Sequence, residues 1–204
     1  MERIPINPGN VEWSGENPGI YLKESADGPF ESLVSFFRVI YSPHGRGHAA
    51  FLFLDPHGEA KSPGKQNFCV TDNEPLARYL KENFLSHFAM FRGVPALSNF
   101  RFEKGSDFIA SGDAKTTYTE QFRSETGEVT LMWGPLSDSF MVEMPKDKSA
   151  TGQHEMFSVF VPASGARVSI NGRSVASGRP FPRDVAGKTS STAFLAFSET
   201  WVRR

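Results

Sequence analysis

Hydrophobic and polar positions alternate most cleanly over residues 115–144. Tyr118, Glu120 and Phe122 alternate with Thr117, Thr119 and Gln121. Val129, Leu131 and Trp133 alternate with Glu128, Thr130 and Met132, and Phe140, Val142 and Met144 with Met141 and Glu143. A side-chain period of two with one apolar face is what a half-buried strand requires. The links at 124–127 and 135–138 contain Gly127 and Pro135, which set turn backbone. The spacing therefore predicts three consecutive strands in an antiparallel meander.

Residues 33–41, LVSFFRVIY, form an apolar run broken only by Ser35 and Arg38, and its β-branched and aromatic content predicts a strand. Further strands are predicted at 20–23, 49–54, 67–71, 100–102, 107–111, 154–161 and 191–202. Asn171-Gly172, inside 168–175, predicts a hairpin on a type I′ turn.

One helix is predicted over about residues 74–91. Asp72, Asn73 and Glu74 supply a capping run, Pro75 suits the first turn, and Gly93 and Pro95 stop the element. Leu76, Leu80, Phe84 and Phe91 share one stripe at the helical period. His87 falls inside that stripe and is predicted to face the sheet.

Residues 1–19, rich in Pro and Gly, read as an irregular N-terminal arm, and 59–66 as a loop. Residues 20–204 read as a single β-rich domain. The predicted fold is mainly β (α+β): a single antiparallel, meander-rich β-barrel or strongly curled sheet of about nine to eleven strands, with one amphipathic helix packed against it. A barrel is preferred to a sandwich because closure removes exposed edges.

Composition narrows the function classes. Apolar residues at 39% and charged residues at 22% describe a globular chain. A net charge of −1 offers no general attraction to nucleic acid or to an anionic membrane, so neither is an expected partner. Cys69 is the single cysteine, which excludes an internal disulfide and reads as a core residue. No apolar leader opens the chain and no stretch approaches bilayer length, so a cytoplasmic location is expected. Phenylalanine is the outlier, 19 against 4 Tyr and 3 Trp. That excess means either a thick aromatic core or an apolar cavity.

Two acids interrupt apolar strand faces: Glu120 between Tyr118 and Phe122, and Glu199 between Phe197 and Trp201. A carboxyl so placed finds a partner, has its pKa raised by desolvation, or turns to solvent. Facing inward, Glu120, Glu199 and His87 would be candidate acid–base groups. Arg38, Arg46, Tyr118, Trp133 and Trp201 are the candidate ligand contacts. Arg46 lies between Gly45 and Gly47, where flexible backbone and an Arg fork suit an anion. The nearby His44, His48 and His57 could carry a metal. No phosphate loop, dinucleotide fingerprint, G-x-S-x-G elbow or HExxH occurs.

The expected function is a barrel binding a small apolar or aromatic molecule, with or without acid–base turnover. The alternatives are a non-catalytic homodimeric interaction module and a metal-dependent enzyme built on His44, His48 and His57. No cofactor is indicated.

Overall fold

Continuous apolar runs in the first half of the chain and alternating ones in its middle build two different kinds of sheet. The computed structural model describes residues 9–58 and 66–204. In chain order the strands are β1 (Asn10–Glu16), β2 (Gly19–Lys23), β3 (Phe30–Tyr41), β4 (Gly47–Phe53) and β5 (Asn67–Thr71). Helix α1 (Glu74–Asn83) follows, then β6 (Arg101–Lys104), β7 (Ser106–Gly112), β8 (Tyr118–Ser124) and β9 (Gly127–Trp133). The chain continues with β10 (Phe140–Met144), β11 (His154–Ala163), β12 (Ala166–Ile170) and β13 (Arg173–Ser174). It closes with β14 (Pro182–Val185), β15 (Lys188–Ser191) and β16 (Ala193–Arg203).

The chain is mainly β with one helix packed on a sheet, as its patterning predicts. The larger sheet runs β10-β11-β16-β1-β3-β4-β5-β6, and β2 bridges β16 to β3. Four strands, β16-β1-β3-β2, thereby close a local ring, while the strand order of the sheet as a whole ends at β10 and β6. A five-stranded sheet, β13-β12-β9-β8-β7, covers one face of the larger sheet. Helix α1 and the segment after it cover the other. Strands β3 and β4 are buried on both faces: Phe37 and Phe51 point toward the helix, Phe36 and Leu52 toward the second sheet. That double burial explains their unbroken apolar runs. Eight phenylalanines are under 2% exposed, so most of the Phe excess is core.

Several elements depart from the sequence reading. Residues 10–16 of the expected irregular arm form β1, paired on both sides by β16 and β3. Here Gly15 is required for packing, since a Cβ would stand 1.9 Å from the Arg38 carbonyl oxygen. Residues 1–8, and residues 59–65 of the loop expected at 59–66, lie outside the described residues.

The predicted meander ends after two strands. Pro135, which lacks an N–H to continue the ladder, takes the chain out of the smaller sheet. Leu136 then bridges Ala163, and β10 joins the larger sheet beside β11. The place beside β9 goes to β12. One pair, β5 and β6, is parallel, and α1 lies in its crossover.

Helix α1 begins as predicted, with the Asn73 side chain accepting the Leu76 N–H at 3.2 Å and Pro75 in the first turn. It stops at Asn83 rather than near residue 91. Leu85 lies about 180° from Leu76 around an ideal helix, so continuing would expose it. Instead Phe84 leaves the helical region, a 3₁₀ turn follows over Leu85–His87, and both Phe84 and Leu85 are buried.

Strand β16 also breaks its predicted alternation. Ser198 sits at φ 51° and forms a bulge: Phe157 pairs with Thr200 and Val159 with Phe197, leaving two residues opposite Ser158. Leu195 and Phe197 therefore face the second sheet, while Trp201 faces the helix side. A left-handed non-glycine residue costs roughly 1–2 kcal/mol, more for a β-branched one. Ser198→Gly is accordingly expected to keep or slightly raise the urea midpoint. Ser198→Val is expected to lose roughly 1–2 kcal/mol; equal midpoints for the two variants would remove the bulge as the cause of the switch. Among the described residues no helix is long and apolar enough to cross a membrane.

Candidate functional site

The candidate residues divide between the two faces of the larger sheet. On the face toward the second sheet, Arg38 of β3 meets Glu120 of β8. Its Nη2 lies 2.6 Å from both carboxylate oxygens, and the Tyr118 hydroxyl donates to Glu120 Oε1 at 2.8 Å. Arg38 Nε also faces Glu16 Oε2 at 3.2 Å. Glu120 is completely buried, whereas Arg38 and Glu16 keep about a quarter of their side chains exposed.

Desolvation raises the Glu16 pKa, with the Glu120 charge adding to it against the pull of Arg38. For Arg38, desolvation acts downward but the Glu120 and Glu16 charges outweigh it, so its pKa rises. Burial and the neighbouring Glu120 charge likewise push the Tyr118 phenol well above its ordinary value. Arg38, Tyr118 and Glu120 do converge, then, but on one another. Trp133 lies in the same core, its Nε1 donating to the Gly19 carbonyl at 2.9 Å.

On the opposite face is a cavity of about 320 Å³. Tyr21, Phe160, Phe194, Met156 and Trp201 form its sheet side, and Phe88 and Met90 close it from the segment after the helix. The Ser198 bulge turns Glu199 into this wall. Glu199 is 3% exposed, and its Oε1 accepts the Trp201 indole N–H at 2.7 Å. Desolvation dominates and lifts its pKa to about 8, against the pull of the Trp201 and Ser158 hydrogen bonds. Near neutrality the group is a neutral acid. Burial also pushes the Tyr21 phenol up to about 12, keeping it protonated.

The remaining wall is the β14–β15 hairpin, which carries Arg183 and Val185. Arg183 Nε donates to the Ser191 carbonyl at 3.0 Å, and the guanidinium lies 4.3 Å from the Phe194 ring centroid. Burial lowers its pKa, with the Tyr21 phenol acting the other way, yet a guanidinium stays charged in proteins. No carboxylate pairs with Arg183 among the described residues. In sequence Arg183 belongs to a Gly/Pro/Arg-rich stretch, 176–188, that reads as a loop and not as a hairpin. The available signal was Val185-Ala186-Gly187-Lys188, a two-residue hairpin with Ala186 and Gly187 at φ 52° and 77°. Alanine is not a usual first residue of such a turn.

Glu120, Glu199 and His87 do not form one catalytic group. His87 lies on the 3₁₀ turn beyond α1 and is exposed, because the helical phase that would have aimed it inward ends at Asn83. Arg46 is exposed on its loop, and among the described residues its carbonyl accepts from Asn73. The three loop histidines take separate partners: His44 packs on Tyr79, His48 pairs with Asp72 at 2.7 Å, and His57 meets the Phe30 carbonyl. No three His, Cys, Asp or Glu side chains among the described residues come together as a metal-binding group. Cys69 is buried in the core, where desolvation pushes its thiol well up.

His154 escaped sequence reasoning as well. It is buried beside Trp201 and Phe84, with Nδ1 on the Thr151 hydroxyl at 2.8 Å and Nε2 unpaired 4.0 Å from Glu12. Desolvation and the Arg203 charge lower its pKa, which favours the neutral imidazole.

Comparison with models of known families, with curated proteins and with solved structures found no match.

Proposed function

We propose that the protein binds a small apolar or aromatic molecule in the cavity beneath the β14–β15 hairpin. The observation that carries this reading is the composition of that wall: aromatic and methionine side chains around two polar groups, the buried Glu199 and the half-buried Arg183. Apolar lining with a few convergent polar groups is the usual make-up of a small-molecule site, and about 320 Å³ is at the lower end of the volumes such sites have. A carboxyl held protonated to about pH 8 could also hand a proton to a bound ligand, which leaves room for acid–base turnover there. A reducing, cytoplasmic setting belongs to the same reading, since the single cysteine is free and buried.

Native mass spectrometry with a thermal-shift screen of small aromatic and branched aliphatic compounds tests it. A ligand at a hundred times its Kd should raise Tm by roughly 5–10 °C. Ala150→Trp, which fills the cavity from its wall, should abolish the shift. Hits that survive this variant, or a screen with none, would count against the cavity as the binding site.

The homodimeric interaction module has one observation of its own. Val11, Ile40 and Tyr41 are exposed large apolar residues that line a single surface groove. The same native spectra report it as a dimer mass that Tyr41→Lys converts to monomer.

A further inference from the structure

We infer that the ligand of this cavity is an organic monoanion, a short apolar or aromatic carboxylic acid whose carboxylate sits on the Arg183 guanidinium. The inference rests on the ligand-binding reading above and names the chemistry of its ligand.

Arg183 carries five N–H donors. The Nε donor is used by the Ser191 carbonyl. The four on its terminal nitrogens meet no acceptor among the described residues, although the side chain is partly buried and lines the cavity. Half-burying a guanidinium without an anion gives up part of its hydration, and stacking on Phe194 offsets only some of that. A carboxylate supplies the missing acceptors in the bidentate geometry that the fork matches.

The remaining charges around the cavity agree. Lys148 and Arg92 lie at its rim, and Asp184 is the opposing carboxylate beside Arg183. Glu199 is buried with no cation paired to it among the described residues, and its Oε1 is already held by the Trp201 indole. A carboxyl in that state adds no negative charge and presents a donor to a second ligand oxygen. In a chain of net charge −1, three cations against one ionised acid favour an anion here. The apolar walls and the small volume set the rest of the ligand: an aromatic ring or a short branched chain, with no second charge.

Calorimetric titration with matched pairs tests this on the full chain. The probes are 3-phenylpropionate, indole-3-acetate and 4-methylpentanoate, each against its neutral amide. At least one acid is expected to bind at least tenfold tighter than its amide. Arg183→Met, which keeps the side-chain stem, should bring that acid and its amide to equal affinity, and Arg183→Lys should restore part of the preference. Thermal melting of each variant checks that the hairpin substitution leaves the fold intact. Acid and amide binding equally to the wild type would overturn the anionic ligand while leaving the cavity as an apolar site. An acid preference that survives Arg183→Met would place the carboxylate elsewhere and overturn the role of Arg183. No binding by any acid or amide would overturn both the inference and the reading beneath it.

Discussion

Glu199→Gln is expected to make the protein more stable above pH 8 and to leave it unchanged near pH 4.5. The folded chain holds the Glu199 proton up to about pH 8, whereas the unfolded chain releases it near the ordinary value of 4.5. Between these two pH values the folded state binds more protons than the unfolded state, so stability falls as pH rises through the window. Below it, both states are protonated and the loss vanishes. At 1.36 kcal/mol for each pKa unit, the whole window is worth on the order of 3–5 kcal/mol. Glutamine keeps the acceptor for the Trp201 indole and cannot ionise. The check is urea unfolding of both proteins at intervals from pH 4.5 to 9, because the difference between the two curves cancels every other titrating group. Parallel curves would mean that Glu199 finds a counter-charge or water in solution.

The second large effect concerns Arg38. Arg38→Met is expected to cost about 2–4 kcal/mol at pH 8, somewhat under the figure for a fully buried pair because Arg38 is partly solvated. The substitution strands Glu120, which is completely buried and has both oxygens on the guanidinium. Adding Glu120→Gln should recover at least half of the loss, since an amide still accepts from Tyr118. Denaturant midpoints for the two single variants and the double variant complete the cycle. Strictly additive losses would mean that the pair does not interact. Glu120→Gln was a natural variant for probing catalysis from sequence alone; the network makes it a probe of stability instead.

The parts of this fold legible in the sequence are those fixed by neighbours in the chain. Asn73 caps a helix because its side chain reaches a backbone N–H three residues on, and Asn171-Gly172 turns because both residues accept positive φ. The β8–β9 hairpin follows from two alternating runs joined by a short link. What escaped depends on distant partners. Whether the strand after β9 stays beside it is decided by β12, which takes that place from beyond β11 in sequence, while β11 pairs the departing strand.

Glu120 and Glu199 looked alike, each a carboxylate between aromatic residues. One lies against an arginine from the other sheet, and the other lies against an indole in an apolar wall. The bulge at Ser198 separates their surroundings, and a serine carries no signal for it. His87 turns outward for the converse reason: the helical period stops where Phe84 and Leu85 both demand burial.

The position of β16 constrains how the chain reaches this state. It is the last strand in sequence, yet it lies between β11 and β1, with Asn10 opposite Arg203. Some 190 residues of loop must close before that pair can form, an entropic cost that grows only slowly with length but delays the rewarding contacts. During synthesis from the N-terminus, β7, β8, β9 and their partner β12 all emerge before residues 193–203 exist. Until those residues leave the ribosome, β1 and β11 are bare edges in the middle of the larger sheet, so this molecule is most vulnerable to wrong pairing in the interval before β16 emerges.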